Sequence, residues 1–264
     1  MDYWTQYKKD VDLGVDFERP DQKRMAGRLL ILGGHANSFF VVSNVLNIAE
    51  REEVGEVKAF MPDSLSEKIP NNDKVVFLPS DKSGSFSKTA IDPMLDNLEQ
   101  TDAAIVIGDM GKNAETVKFL DELLTKSTKD VLLVRDAADL ALTGDNVEDW
   151  LEKDNIVLFL SVAQFKKLLK TIYYPKVINL TVPVVQLVEI MHKFTLSYNI
   201  TLAIPYSGLI IFAKNGEVLS IRMDQTKYDA LTVFNGELVV KMMKLKMWNV
   251  GKNSLECFLA SCIN

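Results

Sequence analysis

The sequence predicts an α/β protein with a mostly parallel central sheet flanked by helices. Short, unbroken apolar runs recur along the chain, and such runs are typical of strands that are buried on both faces of a sheet. Stretches with apolar residues at helical spacing separate these runs, an alternation typical of parallel sheets. The 264 residues show no repeat and no long linker that would divide two domains. We therefore expect an N-terminal arm over residues 1–25 and a single α/β domain over residues 26–264.

Strands and helices alternate regularly through the first part of that domain. The apolar runs predict strands at 28–32, 57–61, 74–78, 103–107, 131–134 and 156–159. Helices are predicted at 38–50 and 91–98, and a third begins at Asn113, whose side chain can cap the first turn. Ser161 and Gln164 fit an S-x-x-Q capping box at the start of a further helix, so both have a predicted structural role.

The last third of the sequence predicts a β-meander followed by C-terminal helices. Three closely spaced strands are predicted at 200–204, 209–213 and 218–221, with Asn215 and Gly216 at the second turn. Helices follow at 235–248 and 254–262, and three lysines of the first helix are predicted to face solvent: Lys241, Lys244 and Lys246. The uncharged stretch 195–213 is long enough to span a bilayer, but its β-branched and turn residues favour two buried strands.

Composition excludes several classes of function. A net charge of −6 argues against a broad nucleic-acid-binding face, which would be basic. Two cysteines and two histidines are too few for a disulfide framework, a four-ligand zinc site or a histidine-rich metal site. The N-terminus lacks the apolar run of a signal peptide. We therefore expect a cytoplasmic protein with no metal centre, no nucleic-acid partner and no membrane contact.

One glycine-rich loop lies between the first predicted strand and the following helix. Gly33 and Gly34 would let backbone amides approach a phosphate, and the helix N-terminus adds partial positive charge. The spacing matches neither a dinucleotide-binding fingerprint nor a P-loop. The alternative interpretation is a tight turn with Asn37 or Ser38 as the helix cap.

Two further loops end predicted strands. Gly108, Asp109 and Gly111 follow the strand at 103–107, and Asp136 and Asp139 follow the strand at 131–134. Because ligands of parallel sheets lie at the carboxyl ends of strands, the loop at 108–111 and the first glycine loop could face one crevice. The alternative for that loop is a simple turn. The two aspartates could hold a metal ion or a hydroxyl group, or they could cap the next helix.

The segment FNGE at 234–237 opens the penultimate predicted helix. Asn235 would cap the helix, and Gly236 would leave an amide open to an anion. Glu237 in the first turn is either a general base aimed at a bound hydroxyl or a carboxylate stabilised by the helix dipole.

Several segments together resemble the ribokinase-like superfamily, and within it the ADP- or ATP-dependent NAD(P)H-hydrate dehydratases, which are related to carbohydrate kinases. The segments are RLLILGGHANS at 28–38, DAAIVIGDMGKNAET at 102–116, LLVRDAADL at 132–140, IVLFLSVAQFKKLL at 156–169, IIFAKNGEVLSI at 210–221 and FNGELVV at 234–240. This chain departs from the family at three places. Residues 160–164 replace the family's P-H-x-x-E, residues 234–237 replace G-T-G-D, and Pro205-Tyr206 stands near the family's Lys-Gly.

The resemblance implies a ribokinase-like fold and a lyase that repairs a hydrated nicotinamide cofactor. ADP or ATP with Mg²⁺ would phosphorylate the hydroxyl of hydrated NADH or NADPH, and loss of phosphate would restore the cofactor. The implied residues are the base Glu237, the anion hole and nucleotide side (Asn235, Gly236, Gly33, Gly34) and the substrate loops (Gly108, Asp109, Gly111, Asp136). Two alternatives stay open, namely a non-catalytic nucleotide-binding or structural homologue and a small-molecule kinase of the same fold. A homo-oligomer is also left open.

Overall fold

The computed structural model describes residues 2–8, 20–70, 72–223 and 236–263. Within these ranges the strands of the sheet are β1 (Trp4–Tyr7), β2 (Arg28–Leu32), β3 (Glu56–Pro62), β4 (Val75–Leu78), β5 (Ala103–Ile107), β6 (Asp130–Val134), β7 (Ile156–Phe159), β8 (Thr201–Tyr206), β9 (Leu209–Lys214) and β10 (Glu217–Arg222). The helices are α1 (Phe40–Arg51), α2 (Ile91–Glu99), α3 (Ala114–Lys126), α4 (Asp136–Ala141), α5 (Val147–Leu151), α6 (Val162–Thr171), α7 (Val184–Ser197), α8 (Glu237–Trp248) and α9 (Ser254–Ser261).

The strands form one mixed sheet in the order β1-β10-β9-β8-β7-β6-β5-β2-β3-β4. Strands β2 to β8 are parallel to one another. Strand β9 is antiparallel to both of its neighbours, and β1 pairs in parallel with β10. The predicted α/β class, with a mostly parallel sheet and a terminal meander, is confirmed.

Each face of the sheet is covered by its own set of helices. Leu30 and Leu32 of β2 pack in a core cluster that draws on α2 to α7. Leu29 and Ile31 point to the other face, where α1, α8 and α9 cover them. Successive side chains of a strand alternate between faces, so an unbroken apolar run is what a strand buried on both sides requires.

Local signals in the sequence explain several element ends. The Oδ1 atom of Asn113 accepts a hydrogen bond from the Thr116 amide at 2.9 Å, which caps α3. The capping box at the start of α6 is present in both directions between Ser161 and Gln164. At the β9–β10 turn, Asn215 has φ 50° and Gly216 has φ 79°, as a two-residue hairpin of type I′ requires.

Helix α1 is capped by neither of the two residues that the sequence suggests as its cap. Its N-cap is Phe39, which makes no side-chain capping bond, so the expectation that Asn37 or Ser38 caps the helix is wrong. Ser38 instead exchanges backbone hydrogen bonds with His35, both at 2.9 Å. The backbone of Ser38 is therefore part of a tight turn that precedes the helix.

The lysines of α8 are not solvated as expected. Only 14–16% of the side-chain surface of Lys241, Lys244 and Lys246 is exposed. Lys244 pairs with Glu52 at 2.8 Å, and Lys246 pairs with Asp130 at 2.5 Å. Both lysines bury their aliphatic stems and reach a carboxylate with the ammonium group, as long cationic side chains commonly do.

Strand β1 and helices α5 and α7 are not among the elements that the sequence predicts. Strand β1 comes from the segment expected to form an arm, and Trp4 Nε1 donates a hydrogen bond to Ser220 Oγ at 2.9 Å. Helix α7 contains the first three residues of the uncharged stretch 195–213, and the rest of that stretch reaches through β8 into β9. In the described ranges we find no helix with the length and apolar character needed to cross a bilayer.

Candidate functional site

The candidate site lies at the carboxyl edge of the parallel strands. A cavity of about 530 Å³ opens there between the loop after β5 and helices α3, α4 and α6. Its lining includes three of the four predicted substrate-loop residues, namely Asp109, Gly111 and Asp136. The fourth, Gly108, directly precedes Asp109 and has φ 89°. The topology therefore brings loops from two neighbouring strands to one cavity, as parallel sheets generally do.

Asp109 is held from two directions. Its Oδ1 atom accepts a hydrogen bond from the Gly111 amide at 2.9 Å, and its Oδ2 atom lies 3.0 Å from His35 Nε2. Partial burial acts to raise the pKa of Asp109, but the bonds from Gly111 and His35 outweigh it and hold the pKa below its ordinary value. Asp109 is therefore an ionised hydrogen-bond acceptor at the cavity wall.

The wall formed by α4 carries two more carboxylates in different surroundings. Asp136 is exposed in the first turn of α4. Asp139, three residues later in the same turn, accepts a hydrogen bond from Gln164 Nε2 at 3.0 Å and pairs with Lys167 at 3.3 Å. The N-cap of α4 is Arg135, which makes no side-chain capping bond, so the alternative that an aspartate caps this helix is wrong. Both aspartates instead lie in the first turn, where the helix dipole favours them.

Arg135 itself has an unusual backbone. Its φ of 61° and ψ of −137° are uncommon for a residue with a Cβ atom. Gln164 Nε2 donates a second hydrogen bond to the Arg135 carbonyl at 2.8 Å. The Gln164 side chain, which belongs to α6, thereby holds the strained turn at which α4 begins.

A third loop, which sequence reasoning missed, packs against the site. It follows β4, and its Asp81 Oδ1 accepts bonds from the amides of Ser83 at 2.8 Å and Ser85 at 3.1 Å. Burial acts to raise the pKa of Asp81, but the hydrogen bond from the Ser83 hydroxyl at 2.6 Å, together with these amide bonds, holds that pKa below its ordinary value. A Cβ atom on Gly111 would lie 2.0 Å from Ser85 Oγ, so the two loops are in close contact. The cluster of Ser, Asp and Gly after a predicted strand is a turn signal that could have identified the loop.

The predicted nucleotide-side glycines lie outside the cavity lining. A Cβ atom on Gly33 would lie 2.0 Å from the Ile107 carbonyl oxygen, so Gly33 allows β2 and β5 to approach each other. Gly34 has φ 90° in the following turn. Gly236, the N-cap of α8, has φ 101°, and its Cβ position would lie 2.3 Å from Val45 Cγ2.

Glu237 lies apart from the residues that line the cavity. Its helix, α8, covers one face of the sheet, whereas the helices that line the cavity cover the other. The carboxylate is 3.3 Å from Lys241 Nζ and 3.9 Å from an Arg51 nitrogen, and 38% of its side-chain surface is exposed. The preceding residues of the motif, Phe234 and Asn235, lie outside the described residues.

Comparison with known proteins places this geometry in a recognised architecture. No family model and no curated protein matches the sequence. A solved ribokinase-like superfamily protein from Enterococcus faecalis superposes with a TM-score of 0.71 at 12% identity, over 99% of this chain and 85% of that one.

Two further solved structures have names that state an activity. The ADP/ATP-dependent NAD(P)H-hydrate dehydratase from Bacillus subtilis, co-crystallised with ATP and Mg²⁺, superposes with a TM-score of 0.60 at 11% identity, over 92% of this chain and 80% of that one. A hydroxyethylthiazole kinase from Pyrococcus horikoshii superposes with a TM-score of 0.56 at 8% identity, over 90% and 77% of the two chains. At these identities the likeness concerns architecture alone, and the chain has the ribokinase-like fold.

Proposed function

We propose that the protein binds a small hydroxylated ligand in the cavity at the carboxyl edge, with hydrated NADH or NADPH as the ligand. The observation that carries the proposal is the convergence of Asp109, Gly111 and Asp136 on one cavity. Its volume of about 530 Å³ is within the ordinary range for small-molecule sites. The activity that we propose is that of an ADP- or ATP-dependent NAD(P)H-hydrate dehydratase.

The polar lining suits hydroxyl groups. Carboxylates accept hydrogen bonds from hydroxyl donors, and Asp109 and Asp136 each present one to the cavity. Asp139 is bonded to Gln164 and paired with Lys167, one of the two lysines of the lining. The other lysine of the lining is Lys112. Hydration of the nicotinamide ring adds a hydroxyl group, which is the kind of donor that the carboxylates of Asp109 and Asp136 would bind.

The residues at the start of α8 fit the phosphates of ADP or ATP. Gly236 is the N-cap and provides no side-chain cap for the first amides of the helix, and a helix N-terminus favours an anion. Arg51, which is within 3.9 Å of Glu237, adds positive charge there. The nucleotide would supply the phosphoryl group. Within the described ranges, no three His, Cys, Asp or Glu side chains cluster as metal ligands, and we assign no residue to Mg²⁺.

A second candidate function is a homologue that binds the ligand without phosphoryl transfer. The pairing of Glu237 with Lys241 and Arg51 favours it. To accept a proton from a substrate hydroxyl, the carboxylate would have to leave both partners and turn towards the cavity. A catalytic base must lie within hydrogen-bond reach of the proton that it removes. A cytoplasmic location is proposed on the sequence alone.

One assay separates the candidates. Purified protein is mixed with hydrated NADH, Mg²⁺ and ADP or ATP, and the recovery of NADH absorbance is followed, with Glu237→Gln as the control. Recovery above that control supports the dehydratase. A phosphorylated product that accumulates without recovery of absorbance indicates a small-molecule kinase instead.

A binding experiment tests the cavity itself. Calorimetric titration with hydrated NADH is compared among the wild type, Asp136→Asn and Asp149→Asn, the last an exposed aspartate of α5 away from the cavity lining. We expect weaker binding only in Asp136→Asn. Binding without turnover identifies the non-catalytic homologue, and wild-type protein that binds neither hydrated NADH nor nucleotide contradicts the proposed function.

A further inference from the structure

We propose that His35 is a positioning residue of the ligand cavity, because it holds the Asp109 carboxylate in the orientation that presents it to the ligand. This inference rests on the proposed function, in which the ligand occupies the cavity that Asp109 lines. His35 is not part of the cavity lining and therefore acts through Asp109.

The contacts of His35 fix its tautomer. The Asn37 amide donates a hydrogen bond to His35 Nδ1 at 3.3 Å, so Nδ1 is an acceptor and carries no proton. In the neutral ring the proton is therefore on Nε2. Nε2 lies 3.0 Å from Asp109 Oδ2 and donates to it. Both ring nitrogens are engaged, which leaves His35 to orient its partner.

The backbone of His35 is fixed as firmly as its ring. Its amide donates to the Ser38 carbonyl, and the Ser38 amide donates to the His35 carbonyl, both at 2.9 Å. The next amide, that of Ala36, donates to the Gly84 carbonyl at 2.8 Å. The side chain of His35 is 18% exposed. A residue anchored in this way can impose an orientation on a neighbour.

Asp109 needs this support because it is half exposed and lies on a loop. Its side chain retains 44% of its surface, and the Gly111 amide holds only one of its oxygens. The bond from His35 holds the other oxygen and so restricts rotation of the carboxylate. Hydrogen bonds to ionised groups are stronger than neutral ones, and one group misplaced by about 1 Å can cost a large factor in function.

The bond also connects two loops that are separated by 74 residues in the sequence. The loops after β2 and β5 follow neighbouring strands, and the His35–Asp109 pair joins these loops at the carboxyl edge of the sheet. This gives the glycine-rich loop a role at the cavity that does not require it to touch the ligand.

The test uses three variants with matched side chains. His35→Phe keeps a ring and removes the donor, whereas His35→Gln keeps a donor near the position of Nε2. His192→Phe alters the chain's other histidine, which stacks on Tyr3 and is bonded to the Gly216 carbonyl. Urea unfolding of all three variants shows whether each one is folded under the conditions of the experiment.

Two readouts are needed. In carbon-detected NMR titrations we expect the pKa of Asp109 to rise towards its ordinary value in His35→Phe and to stay low in His192→Phe. In calorimetric titrations with hydrated NADH we expect His35→Phe to bind about tenfold more weakly, His35→Gln to recover most of the affinity, and His192→Phe to match the wild type.

The two readouts separate failure of this inference from failure of the proposed function. An Asp109 pKa in His35→Phe that equals the wild-type pKa overturns the inference, as does unchanged affinity in that variant when the wild type binds. If the wild type does not bind hydrated NADH, the proposed ligand is overturned. The NMR titration then still tests whether the hydrogen bond from His35 acts on the Asp109 carboxylate.

Discussion

The replacement Gln164→Glu tests whether one buried amide holds the start of α4 in place. Gln164 Nε2 donates to the Arg135 carbonyl at 2.8 Å and to Asp139 Oδ2 at 3.0 Å, and only 8% of the residue is exposed. The variant changes this donor to an oxygen, so two hydrogen bonds become contacts between acceptors. One of these contacts also sets two carboxylates against each other.

The expected loss of stability follows from those two contacts. The introduced carboxylate oxygen is buried and loses both of the hydrogen bonds that the Gln164 amide made. A buried polar group left without its hydrogen bonds costs about 1–3 kcal/mol, and more when it is charged, so we expect a loss of about 3 kcal/mol in the free energy of unfolding at neutral pH. The Oε1 side of the residue is unaffected, because its bonds from the amide and hydroxyl of Ser161 remain available to a carboxylate. The loss therefore isolates the contacts with Arg135 and Asp139.

The loss should also depend on pH in a known direction. Burial and the Asp139 charge raise the pKa of the introduced carboxyl group in the folded state above its unfolded value. The protonated group regains a donor, so the variant approaches wild-type stability below the unfolded pKa and loses it as the pH rises through the folded pKa.

Urea unfolding at several pH values measures both effects. The control is Gln186→Glu at an exposed position of α7, where we expect a change within about 0.5 kcal/mol. Equal stability of Gln164→Glu and the wild type at neutral pH would refute the reasoning, and so would a loss that does not diminish on acidification.

Four further predictions concern the same edge of the sheet. Gly33→Ala places a Cβ atom 2.0 Å from the Ile107 carbonyl oxygen, so we expect urea unfolding to show a loss above about 2 kcal/mol. Gly108→Ala, whose nearest contact would be 3.5 Å away at φ +89°, should lose only about 1 kcal/mol from backbone strain. Asn113→Ala removes the cap of α3 and should lower the thermal midpoint by an amount equivalent to about 1 kcal/mol. Because the pKa of Asp109 is lowered on folding, its contribution to stability is lost as the pH falls through that pKa, and Asp109→Asn should flatten the acid side of the stability profile.

The strands of the parallel sheet could be predicted because each one carries its signal locally. The predicted bounds of β2, β5 and β7 coincide with those of the structure. In β5, for example, all five residues of Ala103–Ile107 are buried, so the apolar run by itself indicates a buried strand. Strand β1 has four residues with a mixed burial pattern, and such a short edge strand resembles a polar turn in sequence.

The candidate site could be predicted only in outline. Parallel topology alone indicates that the loops after β5 and β6 reach one edge of the sheet, and Asp109 and Asp136 do line one cavity there. The contacts that orient those side chains join residues far apart in sequence, such as the pair of His35 and Asp109 at a separation of 74. Only the assembled loops determine such a pairing. The burial of Lys246 against Asp130 depends in the same way on how α8 crosses the sheet.

The parallel pairing of β1 with β10 has a consequence for how the chain assembles during synthesis. Trp4 contacts Ser220 across 216 positions, so β1 can pair only after β10, which is synthesised much later, has become available. Long-range pairings of this kind slow folding, because the entropy of closing the intervening chain is lost before the contact forms. The indole of Trp4 should therefore report the final closure of the sheet in refolding experiments.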